Sequence, residues 1–417
     1  MSFRLLHLAD LHLGQRFHDQ GRAQDEEHAL QQVLQIAEEA QVDVVVLAGD
    51  IFDVAHPGAR DCERYDRFLA QLVGDAGVGS VVVIAGNHDS PTRIAAPRRL
   101  YSAARVHVRG QWRLDAGPED CIVELTGRSG EIVGRSLAIP FLREGDVRIR
   151  RAGESLQHAA QEHVKALEQR LAELHAAVPR DLPYVVVAHA FATGGSFGGG
   201  ERPVQVGNEA RVPAAAFAGD AGYLALGHLH RPQLVDGQEH WRYPGSLLPT
   251  GFDELARPRQ VLVAELPDSG AATVRSHELE PCRRYLRIEG NQVELEQQIL
   301  ALPPWQGEGP RPWVRGFAEL TGPAPGLAQR LGDLAQKRGW QLLGVESRTP
   351  RAAARQDSEE HAPPGEVDIE NSSAVFDKLL EHRGIQGEDA EDLRRSFTWL
   401  QEHAVELLEG DPLEGGD

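Results

Sequence analysis

Five short polar motifs, each placed directly after an apolar run, constrain this chain more tightly than any other feature. They are Asp10-Leu11-His12, Gly49-Asp50-Ile51-Phe52-Asp53, Gly86-Asn87-His88-Asp89, His189, and Gly227-His228-Leu229-His230. The runs before them, 3–9, 43–48, 81–85, 184–188 and 223–226, have the character of buried strands. If these strands share one sheet, all five sets of side chains gather at one edge. Each motif alone has an ordinary explanation: Gly-Asp after a strand is usually a turn, and Gly and Asn tolerate positive φ. A His-x-His pair puts both rings on one face of a strand and is common as surface decoration. The conjunction of all five, in order and at strand ends, is what points to a site.

The donors in these motifs are carboxylates, a carboxamide and imidazoles, with no cysteine among them. Such a set favours hard and borderline divalent cations, and suits manganese, iron or zinc bound for hydrolysis better than a structural zinc. Asp50 is the natural bridge, because one carboxylate can hold two cations about 3.5–4 Å apart, the spacing used in phosphoryl hydrolysis.

Between the motifs, strand and helix patterns alternate. A helix is predicted over 25–40, with Ala29, Leu30, Val33, Leu34 and Ala37 on one face, and others over 62–73 and 156–178. Shorter strands at 121–125 and 136–139, near Arg242 and at 261–266 add to these β-α-β units, and a two-sheet sandwich with flanking helices accounts for the mixture. A small α+β unit begins near Arg283, with strands over 285–289, 313–320 and 340–348 and helices over 293–302 and 326–338. The expected boundaries are 1–280, 281–348, a linker over 349–367 dominated by alanine, proline and charge, and a helical pair within 368–410. That pair covers 374–382 and 390–408, the second helix aligning Leu393, Phe397, Leu400, Ala404, Leu407 and Leu408. It is too small to bury its stripe alone, so it docks on its parent domain or on a partner.

At 417 residues the chain exceeds one typical core. No run approaches the roughly 18 apolar residues a membrane span requires, and the start lacks the basic and apolar sections of a signal peptide, so a cytoplasmic location is the default expectation. Three scattered cysteines, Cys62, Cys121 and Cys282, argue against a disulfide framework. A net charge of −20 is awkward for a protein that handles a polyanion, but residues from Asp357 onward carry 18 acidic and 4 basic side chains, leaving −6 for the first 356. Bound dications would offset more of it. The glycine-rich stretch 193–200, a mobile loop by composition, lacks the Lys-Ser/Thr of a phosphate-binding Walker motif, so no ATP site is expected in this chain.

The motifs resemble those of the calcineurin-like metallophosphoesterases. Within that superfamily, Leu6-His7-Leu8-Ala9-Asp10-Leu11-His12-Leu13-Gly14, the segments 48–53 and 85–90, Ile139-Pro140-Phe141-Leu142-Arg143, 225–231, Tyr243-Pro244-Gly245-Ser246 and Phe252-Asp253-Glu254 are similar to the SbcD nuclease subunits of bacterial SbcCD complexes. The resemblance implies a four-layer α/β/β/α fold, with the α+β unit as a capping domain and the C-terminal helices as the grip on an SbcC-like coiled-coil ATPase. By motif match, Asp10, His12 and His230 complete one metal site with Asp50, and Asn87, His189 and His228 the other, with manganese as the productive metal. The two cations would polarise a phosphodiester and lower the pKa of a shared water, the nucleophile. His88 is then the general acid for the leaving oxygen, and Asp53 an acid that orients it or, equally, a helix cap. Arg16, Arg93, Arg98 and Arg99 either track DNA phosphates or are solvated surface groups. The family further implies exonuclease and hairpin-opening endonuclease activity in DNA repair, replication and recombination. It also implies a homodimer through helices near 60–73 and 97–104, and association with the nucleoid when DNA is bound. A small-molecule phosphodiesterase or a mainly architectural DNA-end tether would carry the same metal motifs.

Overall fold

The computed structural model describes residues 2–149, 156–193, 212–320 and 324–348, together with 376, 380, 390, 391, 393–395 and 397. The chain divides into two compact units, Met1–Arg348 and Thr349–Asp417.

The first unit is built on two six-stranded sheets. In one, Phe3–Leu8, Val44–Ala48, Ser80–Ile84 and Val106–Arg109 run parallel in that spatial order, and the antiparallel strands Arg259–Leu266 and Thr273–Leu279 extend the edge beyond Phe3–Leu8. In the other, Ile132–Ile139, Tyr184–His189, Tyr223–Gly227 and Gln238–Tyr243 are parallel, flanked by Ile122–Thr126 and Gln233–Val235.

Side chains of successive residues point to opposite faces of a strand, so each central strand serves two cores. Leu6, Leu8, Val45, Leu47, Val81 and Val83 pack under the helices Ala23–Glu39 and Ala59–Gly74. Their neighbours Phe3, Leu5, Val44, Val46, Val82 and Ile84 meet Val185, Val187, Tyr223 and Ala225 between the sheets. Leu137, Val186, Leu224 and Leu226 lie under the long helix Leu156–Ala177, against Leu167, Leu171 and Leu174. This is the four-layer α/β/β/α arrangement, and burial on both faces explains why the strands read as unbroken apolar runs.

The five motif-bearing strands do not share a sheet: three belong to the first and two to the second. Their ligands still converge, because parallel strands in two face-packed sheets end on the same side, the usual place for sites in open α/β folds.

The β-α-β-α-β segment forms an all-parallel sheet of Tyr285–Gly290, Trp313–Glu319 and Gln341–Arg348, backed by the helices Gln292–Ala301 and Leu327–Lys337. It is fixed to the sandwich by a buried ion pair, Arg283 Nε to Asp25 Oδ1 at 2.6 Å and Nη2 to Oδ2 at 2.5 Å. Phe17 stacks on Trp313 with centroids 5.8 Å apart, and Phe252 joins them. Phe17 belongs to a two-residue strand, Arg16–Phe17, paired with Gln20–Gly21. That hairpin links the Asp10-Leu11-His12 loop to the small sheet.

In the second unit, residues 376, 380, 390, 391, 393–395 and 397 are helical, and the Phe376 and Phe397 rings stack 4.1 Å apart. The linker, the remaining stripe residues Leu400, Ala404, Leu407 and Leu408, and the glycine-rich stretch 194–200 lie outside the described residues.

Candidate metal centre

The loops that follow the strands are laced together before any side chain is considered. Asp10 N donates to Gly49 O and His12 N to Asp50 O, both at 3.0 Å, and Leu13 N to Ile51 O at 3.0 Å. This lacing holds Asp10, His12 and Asp50 at φ of 52°, 45° and 47°, while His228 sits at 111°. Left-handed backbone costs a non-glycine residue on the order of 1–3 kcal/mol and persists where the surroundings impose it, typically at functional sites. Four of the seven candidate ligands therefore stand on strained backbone.

The donor atoms point at one another. His12 Nε2 lies 3.1 Å from His230 Nε2 and 3.8 Å from Asp50 Oδ2. His189 Nε2 is 3.4 Å from the same Oδ2 and 2.9 Å from Asn87 Oδ1, which is 3.1 Å from His228 Nδ1. Asp10, His12 and His230 offer ligand atoms within 4.8 Å of one another, as do Asp10, Asp50 and His189, and also His12, Asp50 and His88. Asp10, His12, Asp50, His189, His228 and His230 are all buried. A buried cluster of carboxylate, carboxamide oxygen and imidazole nitrogen atoms at this spacing, without a cysteine, fits divalent cations.

The electrostatics agree. Burial alone would raise the Asp50 carboxyl, but His189, with His12 and His88 behind it, holds it well below the usual carboxylate range. Burial would likewise depress His189, yet Asp50 lifts it to about 9. Without a cation the two form an ion pair with the proton on His189, and a bound cation would displace that proton. His189 Nδ1 donates to the Ala48 carbonyl at 2.8 Å, which leaves Nε2 as the inward atom.

His88 is half-buried, and its backbone N donates to Asp50 Oδ1 at 2.9 Å. Its ring is fixed by Nδ1 donating to the Asp53 backbone carbonyl at 2.8 Å, whereas the Asp53 carboxylate lies 3.5 Å from His12 Nδ1. Asp53 therefore reaches His88 through its main chain. The arginines Arg16, Arg93, Arg98 and Arg99 are all exposed. Arg16 donates to the Asp19 carbonyl in the hairpin after His12, and Arg98 lies on the helix Arg98–Ala103 with Arg99 beside it.

Three residues quoted in the motifs had no role at the site assigned from sequence. Asp89 is buried, and its carboxylate accepts from the backbone N–H of Phe52 at 3.0 Å, Ile51 at 3.1 Å and Gly86 at 2.8 Å, clamping the Asp50 loop to the Asn87 loop. Burial and the neighbouring Asp50 raise its carboxyl, against the pull of those three amides. Phe141 stacks on His228 with centroids 6.5 Å apart and meets His189 edge-on at 6.2 Å. Gly86 is needed for close approach, since a Cβ there would lie 2.1 Å from Asp50 Oδ1. Asp89, Phe141 and Gly86 all fall within the motifs or the segments beside them, but nothing in spacing says which way they face.

Residues 3–232 match the family model for calcineurin-like phosphoesterases. The SbcD subunit of the nuclease SbcCD from Rhodobacter capsulatus is 31% identical over 376 residues, covering 85% of this chain and 91% of the relative. Its counterpart in Escherichia coli strain K12 is 30% identical, covering 76% and 78%, and that of Bacillus subtilis strain 168 is 30% identical, covering 65% and 68%. With a laced donor cluster at the matched motifs and relatives of this kind along most of its length, the chain belongs to the calcineurin-like phosphoesterases and, within them, to the SbcD family of nuclease subunits.

Proposed function

We propose that this chain is the metal-dependent nuclease subunit of an SbcCD-type complex, cleaving DNA at ends and hairpins. The observation that carries the reading is the convergence of Asp10, His12, His230, Asn87, His189 and His228 around Asp50, in a chain whose relatives are nuclease subunits. In this reading Asp10, His12, Asp50 and His230 hold one cation and Asp50, Asn87, His189 and His228 the second, with manganese as the metal. Such a pair supplies charge to polarise the phosphodiester and to acidify the attacking water.

The protein's own groups do the rest. Asp50 spans both sets of donors, and the amide of His88 bonds to its Oδ1, so the bridge and the general acid move as one. The His88 Nδ1 proton is committed to the Asp53 carbonyl, which leaves Nε2 to carry the proton delivered to the leaving oxygen. Arg16, Arg93, Arg98 and Arg99 offer exposed charge for phosphates. The helices Ala59–Gly74 and Arg98–Ala103 form the homodimer face, a role favoured by Leu100, which is 78% exposed. The C-terminal helices, joined through Phe376 and Phe397, grip an SbcC-like coiled-coil ATPase, which also supplies the ATP dependence. Among the described residues no helix is long and apolar enough to cross a membrane.

The test is cleavage of end-labelled duplex and hairpin DNA in manganese, with and without the coiled-coil ATPase, beside a small phosphodiester. DNA cleavage enhanced by the ATPase is expected. Turnover of the small ester with DNA left intact would replace this reading by a small-molecule phosphodiesterase.

A further inference from the structure

Phe252-Asp253-Glu254 stands apart from the metal motifs, yet its last residue is 5% exposed and faces a candidate ligand. The segment forms a short 3-10 turn, Phe252–Glu254, after Thr250. Thr250 N donates to Glu254 Oε2 at 3.0 Å and Thr250 Oγ1 to Glu254 Oε1 at 2.7 Å. His230 Nδ1 lies 3.2 Å from that same Oγ1 and 3.6 Å from Glu254 Oε1. Arg259, also buried, completes the frame. Its Nη2 donates to Glu254 O at 2.7 Å and lies 3.2 Å from Oε2, and its Nη1 donates to His230 O at 3.2 Å and Ser246 Oγ at 3.0 Å.

Counting protons fixes the direction of this chain. A hydroxyl has one hydrogen and an ionised carboxylate has none, so the Thr250 proton goes to Glu254. The Thr250 oxygen can then only accept from His230, whose Nδ1 must carry a hydrogen. The ring's lone pair is thereby confined to Nε2, the atom 3.1 Å from His12 Nε2.

We propose that Glu254 is a positioning residue for the metal centre, holding His230 through Thr250 in the Nδ1-protonated tautomer so that Nε2 is presented as a ligand. The inference rests on the two-metal reading above. It also gives the Phe252-Asp253-Glu254 motif a purpose, because Phe252 packs on Phe17 and His18 of the hairpin that follows His12. One turn therefore braces the surroundings of both His12 and His230.

Glu254→Gln tests the relay rather than the volume. Thr250 N donates to Oε2 and the Arg259 guanidinium lies 3.2 Å from it, so the amide oxygen takes that place and the amide NH2 is left facing Thr250 Oγ1. The NH2 then donates to Thr250, the Thr250 proton turns to His230 Nδ1, and the ring must carry its hydrogen on Nε2 instead. Breaking such outer partners typically weakens metal affinity about 10- to 100-fold. Manganese binding to the full chain, followed by calorimetry and by the signal of free Mn2+ in paramagnetic resonance, should show one of two ions weakened by that factor in Glu254→Gln. Thr250→Val should do the same and Thr250→Ser should restore binding. In metal-free protein labelled with 15N-histidine, the His230 tautomer should invert in Glu254→Gln. Wild-type affinity for both ions and an unchanged tautomer in folded Glu254→Gln and Thr250→Val would overturn the proposal while leaving the metal centre intact. A wild-type chain that binds no manganese would instead refute the reading beneath it.

Discussion

Replacing Gly86 by alanine adds one carbon at the most crowded point of the centre. That Cβ would lie 2.1 Å from Asp50 Oδ1 and 2.3 Å from Asp50 N. Ordinary contact requires a shift of about 1 Å, and besides the carboxylate the clash includes the Asp50 backbone N, which cannot swing aside like a flexible side chain. Asp50 is held by His12 N on its carbonyl and His88 N on its carboxylate, so the movement is passed to His12 and His88. A displacement of about 1 Å among reacting groups costs roughly 100-fold in rate, or about 2.7 kcal/mol of activation free energy. The overpacking itself should cost about 1–3 kcal/mol of stability, which leaves a folded protein to assay. Single-turnover cleavage of hairpin DNA at saturating manganese should fall by about that factor in Gly86→Ala. Gly74→Ala, where a Cβ meets nothing within 4 Å, serves as the control. A folded Gly86→Ala protein within threefold of the wild-type rate would refute the claim that the Asp50 and Asn87 loops must meet this closely.

The remaining predictions concern stability. His7 is buried between the sheets with Nδ1 2.9 Å from the Tyr223 hydroxyl, and burial depresses it from 6.5 to about 3. The unfolded chain then binds the extra proton first, so stability is complete above pH 6.5 and is lost as pH falls toward 3, by up to about 5 kcal/mol. Urea titrations of wild type and His7→Gln across that range should give a flatter profile for the variant, and parallel profiles would contradict the assignment. Asp25→Asn strands the buried Arg283 guanidinium, which also lies 3.8 Å over the Trp313 ring, and should cost about 3–5 kcal/mol. Hydrogen exchange in the small parallel sheet should rise in that variant, and a loss below about 1 kcal/mol would mean the ion pair does not anchor the sheet.

Much of this was legible because both-face burial writes itself into a sequence as apolar runs such as Val44–Ala48, and helices such as Ala23–Glu39 carry their stripe openly. What was not legible depends on the third dimension. The division of the motif strands between two sheets leaves no trace in strand composition, because strands of either sheet are covered on both faces. Thr273–Leu279 and Val106–Arg109 went unnoticed as edge strands, the first being largely exposed and the second only four residues long. At the site, residue types and order marked out the candidate donors, but their orientation had to come from structure. Asp53 stands where an orienting acid was expected, and it is its carbonyl that bonds to His88. Asp89 faces backbone amides, and Glu254 comes to His230 through a turn of chain that no local pattern encodes.

In the proposed function the converging donors hold two divalent cations that serve DNA cleavage. Manganese stoichiometry should be measured on wild type, Asn87→Ala and His88→Gln, with hairpin DNA binding and cleavage recorded on the same samples. Two ions are expected in wild type and in His88→Gln, one tightly bound ion in Asn87→Ala, DNA binding by all three, and cleavage by wild type alone. Cleavage that persists in both variants, or a wild-type chain that cleaves DNA with fewer than two ions bound, would contradict that function.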